Sequence, residues 1–318
     1  MKHTQRGAAI LTALLLVTLV ATLSTSALWQ QWRALEVETA ERTKVQSRWL
    51  LQGALDWARL ILREDARNAA PDHLGEPWAV VLQEAQLSSF LAGSGSAADL
   101  GEHLKAAYLS GQITDLQARL NLLNLVQEGQ IHQPSLRAFS RLFEALQLPP
   151  AELAFLVAQL QLTLQATQAE SATEGPHPLL PRNIEQLAWL GLTPATLAAL
   201  QAHAVVLPER TPVNLNTASA LVLHASLPGL DLAAAERMVQ ARKQSHFRTL
   251  SDAVQASGVP DLAVNSGQHS VGSRYFEVRV LLRLGSAVSQ ERSMLRREGL
   301  QVKTLATLRE TPPLASVQ

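Results

Sequence analysis

The chain has no cysteine among its 318 residues. No disulfide can staple it and no thiol chemistry operates in it, although a cysteine-free chain is compatible with any compartment. It also has no net charge, with 27 basic residues against 27 acidic ones. That removes the electrostatic case for a nucleic-acid or anionic-membrane partner at whole-chain level. Motifs of catalysis are missing: there is no HExxH pair, no Gly-x-Ser-x-Gly elbow and no P-loop. The nine histidines form no ligand pair. His224 sits among Val222, Leu223 and Leu227 and reads as a satisfied helical histidine. Asp56, Glu64 and Asp65 read as a solvated helix face rather than an acid/base set. An enzyme is not expected.

One absence is local and says more. From Gly7 to Trp32 there is no charged residue, and about 20 apolar residues suffice to span a bilayer core as a helix. Lys2 and Arg6 precede the run, which places the N-terminus in the cytoplasm, and Trp29 and Trp32 close it at the far interface. A secretory signal peptide has an apolar core of only about 7–15 residues, followed by a small-residue cleavage site. This run is longer and passes without a turn signal into a proline-free continuation to Asp65. There Leu51, Leu55, Ala58 and Leu62 recur at helical spacing, while residues 36–48 are polar on most faces. The spacing predicts one long helix, greasy at its start and amphipathic at its end. Single-pass anchoring in the inner membrane with the bulk of the chain in the periplasm follows.

Beyond it, the stretch around Pro71, Gly75 and Pro77 reads as an ordered loop with Trp78 as an apolar plug, and 92–103 as a Gly/Ser surface loop. Rough alternation around Tyr108–Leu116 predicts a strand. Residues 134–170 read as two helices broken at Pro149-Pro150, residues 170–182 as a loop, and 183–258 as short helices. Strand character returns over 273–285, 289–299 and 301–310. Strands flanking a helical block predict an α+β fold.

Residues 213–254 resemble a helix–hairpin–helix, with a Pro228-Gly229 turn and Asp231 as N-cap of the second helix. Such modules present turn amides and a helix N-terminus to phosphate. Here the second turn glycine is missing and Asp231 repels phosphate. A compact unit for protein contacts is therefore expected, and a membrane-anchored DNA-binding protein for DNA uptake is the alternative.

Two sets of residues carry a family resemblance. The first is the basic leader ending in Gly7 before the apolar run, which resembles the leader of type IV pilins and pseudopilins. The second is GEPWA (75–79), SGQITDLQARLNLLNL (110–125), TPVNLNTASALVLHASL (211–227) and FRTLSDAV (247–254). Together, in this order, they resemble the K-type minor pseudopilins of type II secretion systems.

The resemblance implies a long N-terminal helix packed on a pilin-like antiparallel sheet with a large all-helical insertion. The segments would be a leader (1–7), a transmembrane stretch (8–32) and the rest of the helix (33–66). The sheet domain would span 67–129 and 266–310, with the insertion at 130–265 and a tail at 311–318. It also implies prepilin peptidase cleavage between Gly7 and Ala8, with a methylated Ala8. The function implied is a place at the tip of a periplasmic pseudopilus that supports export of folded proteins. The partners implied are the I- and J-type minor pseudopilins, other pseudopilins and the inner-membrane assembly platform, with no nucleic acid.

Pilins and pseudopilins usually carry phenylalanine first and glutamate fifth in the mature chain. Those positions are Ala8 and Thr12 here, and a missing fifth-position glutamate is itself a feature of the K-type branch. One departure qualifies the match. The family's acidic calcium-associated stretch is absent, leaving Glu170 and Glu174 as candidates for at most a weak metal site, since calcium takes six to eight oxygen ligands. No cofactor is expected. Candidate partner contacts are Glu38, Glu41 and Arg42 on the solvated stretch and Leu51, Leu55 and Leu62 on the amphipathic one.

Overall fold

The computed structural model describes residues 6–68, 71–92, 107–168, 179–285 and 287–310. Helix α1 runs unbroken from Arg6 to Asp65, 60 residues, or about 90 Å at 1.5 Å per residue. Its described residues up to position 42 are all exposed, and burial begins at Ser47. From there Ser47, Leu51, Leu55, Ala58 and Leu62 are buried. Their spacing of three and four residues puts them on one stripe.

That stripe covers one face of a fully antiparallel five-stranded sheet in the order β1 (Leu82–Gln86), β2 (Ala107–Asp115), β3 (Tyr275–Leu284), β4 (Ala287–Glu298), β5 (Gln301–Glu310). Alternation decides the faces. Leu109 and Ile113 of β2 and Phe276, Val278, Val280 and Leu282 of β3 enter one core with the α1 stripe, Trp78 and Leu295. Trp78, 1% exposed, sets its ring edge-on to Phe276 at 5.2 Å between centroids. Strands β2–β5 correspond to the strand character of the sequence. Strand β1 falls where a loop was expected, because its five residues alternate poorly and pair across a register shift.

The insertion leaves the sheet at Asp115 and returns at Phe276, residues directly opposite in the β2–β3 register. A domain of that length therefore hangs from one spot. A short helix, α2 (Leu87–Ala92), follows β1; the helices of the insertion are α3 (Gln133–Ala145), α4 (Pro150–Gln168), α5 (Pro194–Leu200), α6 (Ala220–Ser226), α7 (Leu232–Gln244) and α8 (Leu250–Ser257). Side chains of Thr193, Ser219, Asp231 and Thr249 cap the last four, each accepting from a first-turn backbone N–H, which satisfies donors that a helix start leaves free.

The boundaries differ from the expected 130 and 265. Leu120, Leu122, Leu125 and Val126 pack in the insertion's core with Phe139, Leu156 and Leu223, so the apolar run after β2 serves the insertion rather than the sheet. The insertion is also not purely helical. Leu120–Asn121 pairs with Ala204–Val205, Val126–Gln127 with Gln130–Ile131, and Val213–Asn214 with His269–Ser270. These short ladders tie its ends to its middle.

Candidate functional site

Two regions combine exposure or charge in ways that packing alone does not explain: the uncovered length of α1, and the junction where α1, the sheet and the insertion meet. On α1, an 18-residue window near the N-terminus has mean hydropathy 2.2 and none of it is buried. The helix is long and apolar enough to cross a membrane. Ala8 is exposed on it, one residue after Gly7. Thr12 turns its hydroxyl back to donate to the carbonyls of Ala8 and Ala9, both at 3.0 Å. Position 12 therefore offers no charge to a neighbouring chain. The Arg33 guanidinium lies over the Trp29 ring, 5.7 Å from its centroid, where the apolar run ends.

Along the solvated stretch Arg42 pairs with Glu38 at 2.8 Å and Lys44 with Glu41 at 3.4 Å, with all four side chains more than half exposed. Exposed i,i+4 pairs stabilise a helix by only a few tenths of a kcal/mol, so these charges are free to serve another surface. Leu51, Leu55 and Leu62, expected as partner contacts, lie instead in the chain's own core at 3%, 5% and 0% exposure. The inward side chains of β2 and β3 need that stripe as their cover. The larger apolar side chains left uncovered between residues 33 and 50 are Leu35, Val37, Val45 and Trp49, the last 72% exposed.

At the junction, Arg297 near the end of β4 reaches back across the sheet. One guanidinium nitrogen donates to Asp65 at 2.6 Å, the other to Asp72 at 2.5 Å and to the Ser273 carbonyl at 3.0 Å. All three charged side chains are almost wholly buried. Asp65 is therefore not a solvated residue, unlike Asp56 and Glu64, which pair at the surface with Arg59 and Arg67.

Behind this triad lies Asp115, fully buried at the last position of β2. Its carboxylate accepts from Thr217 and Ser273 hydroxyls at 2.6 Å, from Asn214 at 3.1 Å and from the Gln117 backbone at 2.7 Å. Asn214 also donates to the Asp72 carbonyl. Glu76 accepts from the Trp78 indole at 2.7 Å and the His73 backbone at 2.8 Å. The His73 ring stacks on His246 of the insertion, 3.9 Å between centroids.

Burial is the leading cause of the titration shifts. It raises Asp115 to about 6 against the pull of its hydroxyl and amide donors. It raises Glu76 to about 7, helped by the nearby Asp65 carboxylate. It raises Asp72 despite Arg297, and it lowers His73, with His246 adding to the effect. Oxygens of Asp65, Asp72 and Glu76 lie within 4.8 Å of one another, but Arg297 already pairs with two of them, Asp65 and Asp72. The arrangement fixes the insertion to the sheet and to the end of α1.

The helix–hairpin–helix-like unit is formed by α6, a turn with Gly229 at φ 83° and α7. His224 Nδ1 lies 2.7 Å from the Leu230 carbonyl, closing the turn on itself. Asp231 caps α7 by accepting from Ala234 at 2.6 Å, so a carboxylate stands where a phosphate would dock. Glu170 and Glu174 lie outside the described residues. Asp72, Asp115 and Arg297 had no signal in the linear pattern, although Asn214 and Asn216, polar inside an apolar segment, marked one side of the junction.

Profiles of the family described as Type II secretion system (T2SS), protein K match residues 118–209 and 213–272. The Type II secretion system protein K of Pseudomonas aeruginosa is 28% identical over 306 residues, spanning 90% of this chain and 86% of that protein. These matches support a protein of the type II secretion protein K family. Protein K of Klebsiella pneumoniae is 25% identical over 327 residues, with 94% of each chain covered. The fold is similar to that in the crystal structure of the GspK-GspI-GspJ complex from enterotoxigenic Escherichia coli. The TM-score is 0.66 at 17% identity, over 86% of this chain and 99% of the other.

Proposed function

We propose that this chain is a minor pseudopilin of the protein K family that caps a type II secretion pseudopilus. In this reading prepilin peptidase cuts between Gly7 and Ala8, the new N-terminus is methylated, and residues 8–32 store the protein in the inner membrane with its bulk in the periplasm. The assembled tip then supports export of folded proteins across the outer membrane. I- and J-type minor pseudopilins are its partners, as in the complex whose fold it shares, and other pseudopilins and the inner-membrane platform lie below.

The observation that carries the reading is the uncovered half of α1. Most of an 18-residue apolar window with no burial must find cover in lipid or in neighbouring helices, because exposing it to water is costly. Position in the filament follows from two further features. The insertion is rooted at the Asp65 end of α1, away from the membrane run, where its bulk obstructs a subunit stacked above. A mature N-terminal amine is costly in hydrocarbon without a counter-charge, and Thr12, bonded to its own helix, supplies none to a subunit above. The Asp231 cap and the chain's zero net charge weigh against the DNA-uptake alternative. Mass analysis of the mature N-terminus tests the proposal. Ala8 as first residue, and loss of processing in Gly7→Val, is expected; an intact Met1 or a cut near residue 27 would refute it.

A further inference from the structure

The face of the sheet turned away from α1 is only partly covered by the insertion, and a cavity of about 330 Å³ remains between them. Its floor is apolar, with Leu116, Val205, Met294 and Leu308, and arginines stand around it. Arg292 is engaged by Glu185 at 3.3 Å and Glu310 at 3.0 Å. Arg279, beside it, is held by Glu277 at 3.0 Å. Arg119 differs: among the described residues its guanidinium has no carboxylate within ion-pair distance, although the residue is largely withdrawn from water. Burial lowers its pKa, and Arg279 and Arg292 act in the same direction against the pull of Glu277. Next to it His203 carries a buried Nδ1 without a partner.

A desolvated, unpaired guanidinium is costly, and a carboxylate is the group that relieves it with paired charge-assisted hydrogen bonds. A second recess of about 420 Å³ shares Arg182, Val206, Met294 and Ala306 with the first and continues past Leu180 and Leu305. Anion-binding capacity at one end and a continuous apolar channel leading away match the terminus of an extended chain.

We infer that this groove binds the C-terminal carboxylate of a partner polypeptide, with Arg119 receiving the carboxylate and the two recesses taking apolar side chains. The site goes beyond the pseudopilus reading and does not depend on it.

The test uses the full chain in detergent micelles and fluorescence anisotropy of a labelled hexapeptide ending in Ala-Leu. The peptide is used with a free or an amidated C-terminus, and hexanoate serves as competitor. Saturable binding is expected for the free-acid peptide. Amidation should weaken it at least about tenfold, the scale of a lost charge-assisted pair. Arg119→Gln should do the same, and Arg119→Lys should retain part of the affinity. Leu308→Glu, at a position 41% exposed and so tolerant of change, places a rival carboxylate in the cavity wall and should also weaken binding; it decides the matter if Arg119→Gln lowers the melting temperature. Absence of saturable binding, equal affinity for the amide, indifference to Leu308→Glu, or displacement by hexanoate at concentrations equal to the peptide would overturn the assignment.

Discussion

Replacing Arg297 by Met tests the junction most sharply. The substitution keeps most of the side chain's apolar body over the Phe276 ring, which the guanidinium now faces at 4.9 Å, and removes the charge with its hydrogen-bond donors, including the bond to the Ser273 carbonyl. Asp65 and Asp72 then lose their partner while Glu76 and Asp115 remain close by. Breaking a buried ion pair by deleting one side typically costs about 3–5 kcal/mol. At an unfolding entropy of about 2.1 cal/mol/K per residue, roughly 250 folded residues lose about 6–10 °C in melting temperature for that penalty.

The pH dependence carries the stronger signature. Arg297 lowers the Asp72 pKa against its burial, so without it the carboxylate titrates higher still. Protonation then neutralises the stranded charge. The deficit of the variant should be largest at alkaline pH and shrink on acidification. The assay is thermal unfolding of the full chain by circular dichroism from alkaline to acid pH, with Asp72→Asn and Arg297→Met/Asp72→Asn completing a double-mutant cycle. The double variant should be less destabilised than the sum of the single ones. A deficit of the same size at every pH, together with additive effects, would refute the electrostatic account.

Glu76→Gln should raise stability at pH 8 and match the parent only below about pH 4.5. The folded pKa of Glu76 is raised from 4.5 to about 7, so the folded state binds its proton more tightly and parental stability falls as pH rises from the lower value to the higher one. One carboxylate oxygen accepts both of its bonds, so Gln preserves them, and melting curves at the two pH values check a gain of about 1 kcal/mol after allowance for screening. Charge reversals at Glu38, Glu41 and Arg42 should leave the far-ultraviolet circular dichroism and melting temperature unchanged while weakening co-assembly with I- and J-type pseudopilins, measured by pull-down; normal assembly of every variant would remove that stretch from the contact surface. Adding calcium or a chelator should shift the melting temperature little, because the family's acidic calcium-associated stretch is absent from the sequence; a ligand bound at about 100 times its dissociation constant would add roughly 2.7 kcal/mol, so a shift of many degrees would reveal a site built from other residues.

Features written locally in the chain were legible without a structure. The charge-free run before Arg33, the proline-free continuation to Asp65 and the alternation through Tyr275–Leu284 each fix an element by period alone. The α1 stripe was legible as apolar but not as to what covers it: Leu51 and Leu55 have the same spacing whether they meet a partner or their own sheet. The insertion boundary failed for a related reason, since LQARLNLLNLV is apolar enough for either core and only tertiary packing assigns it. The junction was invisible because its charges are separated in sequence by 232 and 225 residues. Asp65 in particular is indistinguishable by pattern from the exposed Glu64.

Co-purification of the full-length chain with I- and J-type minor pseudopilins from membranes tests the central claim most directly. The account predicts a complex that contains this chain with Ala8 as its first residue, and that Gly7→Val leaves the chain unprocessed and outside the complex. Isolation of the mature chain without either partner, with secretion unaffected by its loss, would contradict a capping role.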